Sequence, residues 1–344
     1  MVNFLKLGSV PEIGIDLGTA NTLIIFEGKI ILNEPSIIAI DNRDNSILAV
    51  GKEAMKMHGK TPDSIKTIRP LRDGVIADFY AAEKMIMNFV KEIPLQNALK
   101  FNKSFKMLIC IPTGITEVEK RAVKDSAVHA GAVEVLTIFE PMAAAIGIGL
   151  DVLQANGIMV IDIGGGTTEI AIIALGGIVS DQSIRVAGDA FTTDIQNYIK
   201  KQYNLLIGEN TAENIKKTIG SALNELDEGP EDYEVVGRDL LTGIPKVIKV
   251  HYSEIAFALD KSITKIEDAI LKALENAPPE IAADLYKSGI HLSGGGALIR
   301  GLNKRLGVKT KLTINVAENP LEVVIKGTGI AFSNRKKFKS ILMD

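Results

Sequence analysis

Tryptophan is absent from the 344 residues, and aromatic side chains reach only 5%. A surface that stacks sugars or single-stranded bases needs such rings, so those binding classes fall away. Cysteine occurs once, as Cys110 within Met107-Leu108-Ile109-Cys110-Ile111. No intramolecular disulfide can form, which fits a reducing compartment, and the apolar neighbours read as a buried strand. Histidine is sparse: His58, His129, His251 and His291 form neither an H-E-x-x-H motif nor a Cys/His zinc spacing. No charge of one sign dominates. The formal net charge is −3, which argues against whole-chain attraction to nucleic acid. Long apolar runs are missing as well. A membrane-spanning helix needs about 18 uninterrupted apolar residues, and the most apolar long stretch, residues 135–153, is broken by Glu140, Pro141 and Asp151. The opening Met1-Val2-Asn3-Phe4-Leu5-Lys6-Leu7 is too short for a secretory signal and has no basic leading region.

The rest is a globular composition, 46% hydrophobic and 24% charged, with a length of about two domains. Glycine is abundant, with 31 residues, many of them clustered. Three glycine-rich turns each follow a β-like run. The first is Ile13-Gly14-Ile15-Asp16-Leu17-Gly18-Thr19-Ala20-Asn21-Thr22, and the second is Ile161-Asp162-Ile163-Gly164-Gly165-Gly166-Thr167-Thr168-Glu169. Both then continue as β-branched runs, which predicts a β-hairpin with an acid near its tip. Asp16 matches Asp162 and Gly18 matches Gly164, an offset of 146 residues, so the chain reads as an internal duplication. Glycine lets the backbone approach a ligand closely, and successive amides in such turns form an anion nest. Thr19, Thr167 and Thr168 add hydroxyl donors. An Asp beside a phosphate cradle needs a cation between them, so Asp16 and Asp162 imply Mg²⁺, held partly through water.

The third turn, Ser293-Gly294-Gly295-Gly296, lacks an Asp and leads into residues 297–306, whose spacing predicts a helix. Such a turn suits close packing on a flat ligand face, or phosphate at a helix N-terminus. A Rossmann fingerprint fits poorly because the first turn continues as a strand, and no Walker A loop occurs.

With these turns the sequence resembles the actin, Hsp70 and sugar-kinase ATPase superfamily, and within it the MreB family of bacterial actin-like cell-shape proteins. Four stretches carry the resemblance: Gly14-Ile15-Asp16-Leu17-Gly18-Thr19-Ala20-Asn21-Thr22, Pro70-Leu71-Arg72-Asp73-Gly74-Val75-Ile76-Ala77-Asp78-Phe79, Glu140-Pro141-Met142-Ala143-Ala144-Ala145-Ile146-Gly147, and Ile207-Gly208-Glu209-Asn210-Thr211-Ala212-Glu213-Asn214-Ile215-Lys216. It spans residues 10–335 or so. The resemblance implies ATP or ADP with Mg²⁺ as the ligand. Gly18, Thr19, Ala20 and Asn21 would form one phosphate loop and Gly164, Gly165, Gly166, Thr167 and Thr168 the other. Gly294, Gly295, Gly296 and Ala297 would form the adenosine loop, and Gly188 with Asp189 would line the cleft. Glu213 and Lys216 would reach the ribose and adenosine; by spacing alone they read equally as an exposed ion pair. Glu140 would position the attacking water, with Thr167 as its partner; by spacing alone Glu140 reads equally as a helix cap.

The fold class implied is α/β: an actin-like fold of two duplicated RNase H-like domains, each with a small inserted subdomain. Residues 1–36, 70–151 and 327–344 would form the first large subdomain and 37–69 its insertion. Residues 152–187 and 253–326 would form the second, with 188–252 inserted. Within these, helices are expected at 194–203 and 211–223, an amphipathic stretch at 264–274, a strand at 245–252, and a last basic helix after Gly327-Thr328-Gly329. The resemblance further implies slow ATP hydrolysis and head-to-tail assembly of the chain with itself into double antiparallel filaments. It places them in the cytoplasm on the inner face of the cell membrane, with membrane proteins of cell-shape or wall synthesis as partners and no nucleic acid. Leu95, Leu99 and Phe101, in the apolar segment 93–101, match the family's hydrophobic insertion loop. Phe4, Leu5 and Leu7, and the basic-apolar segment 335–343, are further lipid candidates. Other readings are a chaperone ATPase of the Hsp70 type, a small-molecule kinase, or a nucleotide-dependent scaffold without useful hydrolysis. Against the chaperone, the chain ends soon after Gly327, leaving no room for a peptide-binding β-sandwich. Against the kinase, no sugar-binding insertion is recognisable.

Overall fold

The computed structural model describes residues 10–93 and 104–344. Ile13, Ile15 and Leu17 lie buried along β1 (Glu12–Leu17), and Leu23, Ile24 and Ile25 along β2 (Asn21–Phe26). The two strands pair antiparallel, with Leu17 opposite Thr22 and Asp16 opposite Leu23. A two-residue turn, Glu27-Gly28, with φ of 49° and 75°, leads to β3 (Lys29–Pro35); positive φ at both central residues matches the twist of a hairpin. A small sheet follows, from β4 (Ile38–Asp41), β5 (Ile47–Val50) and β6 (Ile65–Ile68), with α1 (Gly51–Met57) packed on it. β7 (Leu71–Arg72) and β8 (Val75–Ile76) close around Asp73-Gly74, again with positive φ at both. The amphipathic α2 (Phe79–Glu92) is capped by Asp78, which accepts the Ala81 N–H at 3.0 Å. β9 (Phe105–Ile111), α3 (Glu117–His129), started by a Thr116/Glu119 capping box, and β10 (Ala132–Phe139) complete the run. The main sheet has the order β10-β9-β1-β2-β3, and Met85, Ile86 and Phe89 of α2 and Val123 of α3 belong to the core on one of its faces.

Glu140 begins a second run: α4 (Glu140–Ile148), then β11 (Ile158–Ile163), β12 (Thr168–Ala174) and β13 (Gly177–Ile184). Next come α5 (Gly188–Tyr203), β14 (Leu205–Leu206), α6 (Glu209–Ile219), β15 (Tyr233–Asp239) and β16 (Pro245–Val250). The long α7 (Tyr252–Glu275), α8 (Pro279–Ser288), β17 (Ile290–Ser293), α9 (Leu302–Thr310) and β18 (Ile314–Val316) follow. The sheet order is β13-β12-β11-β17-β18, a meander joined to two parallel strands, as in the first sheet. The registers also coincide: Ile163 faces Thr168 and Asp162 faces Glu169, each 146 residues beyond its counterpart in the first hairpin. The parallel neighbours agree too, with Ile13 beside Met107 and Met159 beside Ile290. The duplication read from the glycine turns is therefore a duplication of strand order and register.

Two compact units result. One comprises Met1–Ile111, Ile115–Phe139 and Ile325–Asp344, and the other Pro112–Gly114 and Glu140–Val324. The chain re-enters the first unit within α10 (Val323–Ser333), whose Ile325 packs on Leu23 and Ile25 of β2. The approach is close: a Cβ on Gly329 of α10 would lie 2.7 Å from Ile25 Cδ1.

Several elements differ from expectation. The helix expected at 194–203 starts at Gly188, and the amphipathic stretch 264–274 is the end of α7, which starts at Tyr252 under a His251/Glu254 capping box. β15 has a weak strand signature in the sequence, because of its glycine and exposed charges, yet it pairs with β16. The last basic helix does not form. Residues 334–341 run as turns, because Arg335 is pinned to Glu134 at 2.8 Å and Met343 exchanges backbone hydrogen bonds with Thr137.

Candidate functional site

In the second unit the glycine hairpin is tied down from one side. The Gly188 and Asp189 amides, opening α5, donate to the carbonyls of Gly164 and Gly165 at 3.1 and 2.8 Å, and the Gly164 amide donates to Thr167 O at 2.9 Å. Among the described residues, no acceptor takes the amides of Gly165, Gly166 or Thr167. Three successive unclaimed amides are what an anion nest requires. The two threonines divide. Thr168 is fully buried and donates its hydroxyl proton to Val186 O at 2.7 Å, so its side chain serves the fold and the expected hydroxyl donor to a ligand is lost there. The Thr167 hydroxyl bonds to no protein group among the described residues. Glu140 opens α4, which packs on β11 and β12, and the buried Pro141 follows it.

Behind the loop lies a polar row across four strands. Ser183, Glu169, Asp162 and Ser293 are successive register partners on β13, β12, β11 and β17. Ser293 Oγ donates to Asp162 Oδ1 at 2.6 Å, and Ser183 Oγ to Glu169 Oε1 at 2.6 Å. Burial, which disfavours the charged form, pushes the Asp162 carboxyl up to about 6; the Glu169 charge adds to the rise and the Ser293 hydrogen bond opposes it. A buried carboxyl beside an amide nest suits a hydrated divalent cation. Among the described residues no cluster of three or more His, Cys, Asp or Glu could hold a metal alone. That donor set fits Mg²⁺, which accepts one or two carboxylates and fills its remaining positions with phosphate oxygens and water.

Gly188, Glu213 and Lys216 converge on the same hairpin. The Lys216 ammonium donates to Gly188 O at 2.8 Å and Thr192 Oγ1 at 3.0 Å, and pairs with Glu213 Oε2 at 2.6 Å. The pair is not the exposed one that spacing alone allowed: the Lys216 side chain is 12% accessible. Burial raises the Glu213 carboxyl, but Lys216, Thr192 and Lys217 together hold it below the ordinary glutamate value. A Cβ on Gly188 would lie 3.2 Å from both Gly164 O and Lys216 Nζ, a tight contact on both sides.

The third turn is not a helix start. Gly294 has φ of 80°, a short 3₁₀ turn covers Gly295–Leu298, and α9 begins only at Leu302. A Cβ on Gly294 would lie 2.3 Å from Ile163 O, and one on Gly296 would lie 2.2 Å from Ile163 Cγ2. These two glycines are required by contact with the end of β11. Gly295 and Ala297 carry no such constraint from Ile163.

In the first unit Gly18, Thr19, Ala20 and Asn21 form the equivalent loop. Ser36 ties it, its hydroxyl donating to Gly18 O at 2.6 Å and its amide to Ala20 O at 2.9 Å. Thr19 Oγ1 accepts the Gly74 amide at 3.0 Å, which leaves its proton for another acceptor and explains why the Asp73-Gly74 turn belongs with this motif. Asp16, partly buried, stands one residue before the end of β1. The lipid candidates Leu95, Leu99 and Phe101, and Phe4, Leu5 and Leu7, lie outside the described residues. At the C-terminus Phe338 and Ile341 are buried in the first unit and so withdrawn from any lipid surface. Glu169, Ser293, Thr113 and Ser183 carry no local signature in the sequence; strand register and the Pro112–Gly114 turn bring them together.

A family model described as MreB/Mbl protein matches residues 10–340. Cell shape-determining protein Mbl of Bacillus subtilis (strain 168) is 46% identical over 327 residues, covering 95% of this chain and 97% of the relative. Cell shape-determining protein MreB of Escherichia coli (strain K12) is 47% identical over 325 residues, covering 93% and 92%. The solved structure of MreB 5 of Spiroplasma citri bound to AMPPNP matches with a TM-score of 0.88 at 41% identity, covering 96% of this chain and 98% of that one.

Proposed function

The chain belongs to the MreB/Mbl family, and from that premise we propose that it binds and slowly hydrolyses ATP and polymerises into membrane-associated filaments that support bacterial cell shape. The observation that carries this reading is the duplicated hairpin: the same register twice, an Asp at each tip, and in the second copy three unclaimed amides beside a buried carboxyl. That arrangement suits a polyphosphate with its cation. Binding of AMPPNP by the Spiroplasma citri relative supports a nucleotide here.

On this reading, Gly165, Gly166 and Thr167 grip phosphate through their amides, with Gly18, Thr19, Ala20 and Asn21 as the second loop. Asp16 and Asp162 would hold Mg²⁺, partly through water, and the ion would neutralise phosphate charge. Gly188, Glu213 and Lys216 line the nucleoside end, with Gly294, Gly295, Gly296 and Ala297 supplying a close wall. Glu140 orients the attacking water and can accept its proton, with the Thr167 hydroxyl as its partner, and positioning of this kind carries much of phosphoryl transfer. Self-association is head to tail, in double antiparallel filaments, and the segment 93–101 with Leu95, Leu99 and Phe101 supplies lipid contact. Membrane proteins of cell-shape or wall synthesis complete the set of partners.

Light scattering and pelleting with ATP, with ADP and without nucleotide, alongside phosphate release, test the reading. Nucleotide-sensitive polymers with slow phosphate release are expected. A soluble monomer under all three conditions overturns it.

A further inference from the structure

Glu169 is fully inaccessible, yet its carboxylate pairs with no lysine or arginine among the described residues. Three donors satisfy it: the Thr113 amide at 3.0 Å and the Thr113 hydroxyl at 2.9 Å on Oε2, and the Ser183 hydroxyl on Oε1. A buried carboxylate is costly to the fold unless every oxygen is served. The duplicated hairpin provides an internal control for whether the fold needs an acid at this register. In the first unit the residue opposite Asp16 is Leu23, an ordinary buried side chain. Hairpin geometry alone is therefore content with leucine, and the acid in the second copy requires another reason.

That reason lies in what Glu169 holds. Thr113 sits in Pro112–Gly114, three residues that belong to the second unit although Ile111 and Ile115 on either side belong to the first. The turn directly follows β9, whose parallel neighbour β1 carries Asp16 and leads into the first glycine loop. The fit is tight: a Cβ on Gly114 would lie 3.1 Å from Ser183 Cβ. At its other side Glu169 is the register partner of Asp162 and stands two residues beyond Thr167. One carboxylate thus joins the phosphate hairpin to the Pro112–Gly114 turn of the same unit.

We propose that Glu169 is a positioning residue for nucleotide turnover, fixing the Pro112–Gly114 turn on the second phosphate hairpin so that the water-orienting groups stay in register. This rests on the nucleotide reading above. Glu169→Gln preserves shape but puts an NH₂ group where only acceptors fit. Thr113→Val removes one donor, and Thr113→Ser retains it. The readouts are the dissociation constant of a fluorescent Mg-ADP, the kcat and KM of phosphate release, and the thermal midpoint. For Glu169→Gln the expectation is a Kd within about threefold of the parent and a kcat lower by about tenfold or more. Thr113→Val should lower kcat by about threefold, with Thr113→Ser close to the parent. The Thr113 pair decides the matter if Glu169→Gln fails to fold. An unchanged kcat in these variants overturns the proposal. So does a loss in Thr113→Val that Thr113→Ser does not rescue, or one that merely tracks the thermal midpoint. A parent protein that fails to bind Mg-ADP overturns the nucleotide reading itself, a result that no Glu169 variant can produce.

Discussion

Glu140 begins α4, and Met142, Ala143, Ala144 and Ala145 behind it are all buried, so its backbone is held by a packed helix rather than by a loop. A carboxylate fixed in that way can orient water without reorganisation. Glu140→Ala should lower the rate of phosphate release by about 10²-fold while leaving nucleotide affinity and nucleotide-dependent pelleting near the parent level; release at the parent rate removes Glu140 from the mechanism. Glu213 invites a second test. Its folded-state pKa lies below the ordinary value of 4.5, because Lys216 and its neighbours outweigh burial. The ionised form therefore stabilises the fold above that ordinary value, and the contribution is lost as pH falls through the lowered folded value. Glu213→Gln should cost about 1–2 kcal/mol in urea unfolding at pH 7, a difference that shrinks as the parent's carboxyl protonates at acid pH. A penalty that grows toward low pH contradicts the assignment. Asp16, Asp162 and the glycines were legible in the sequence because each has a local cause, a tight turn with an acid at its tip. Glu169, Thr113, Ser183 and Ser293 were not, since they meet only after three strands and a distant turn have come into register.

At the level of elements the third glycine turn is the clearest case. Its sequence promised a helix N-terminus, whereas its backbone is shaped by the end of β11. Gly296→Ala places a methyl group 2.2 Å from Ile163 Cγ2, and overpacking of this kind costs about 1–3 kcal/mol. Denaturant unfolding of Gly296→Ala, Ile163→Ala and the double variant should show a favourable coupling, the double losing less than the two single losses combined. Strict additivity would mean that the contact is not what selects glycine there. The hairpins were legible because β-branched runs on both sides of a glycine turn leave few alternatives. β15 was hidden by Gly237 and by exposed Glu234 and Arg238, and it forms because β14 and β16 flank it. The basic C-terminal residues looked helical as an isolated pattern, but tertiary contacts of Arg335, Phe338 and Met343 override local preference.

For the whole molecule, the formal net charge of −3 means that the proposed attraction to an anionic membrane would have to come from local features. Among the described residues no helix is long and apolar enough to cross a membrane. Two local routes can be separated by their physics. Lys336, Lys337 and Lys339 are exposed while Phe338 and Ile341 beside them are buried, so that segment offers charge without insertion, and its attraction should fade within a Debye length of about 3 Å at 1 M salt. On the proposed reading, Leu95, Leu99 and Phe101 would supply apolar insertion, which salt does not screen. Each contact alone is weak, and polymerisation multiplies it by holding many copies against one surface. Co-sedimentation with anionic liposomes in the presence of ATP should therefore persist at high salt for the parent. It should be lost in the double variant Leu95→Asp with Phe101→Asp, while that variant still pellets as polymer without liposomes. A double variant that pellets with liposomes as well as the parent places the anchor elsewhere, and a parent released by salt alone assigns it to the basic C-terminal segment.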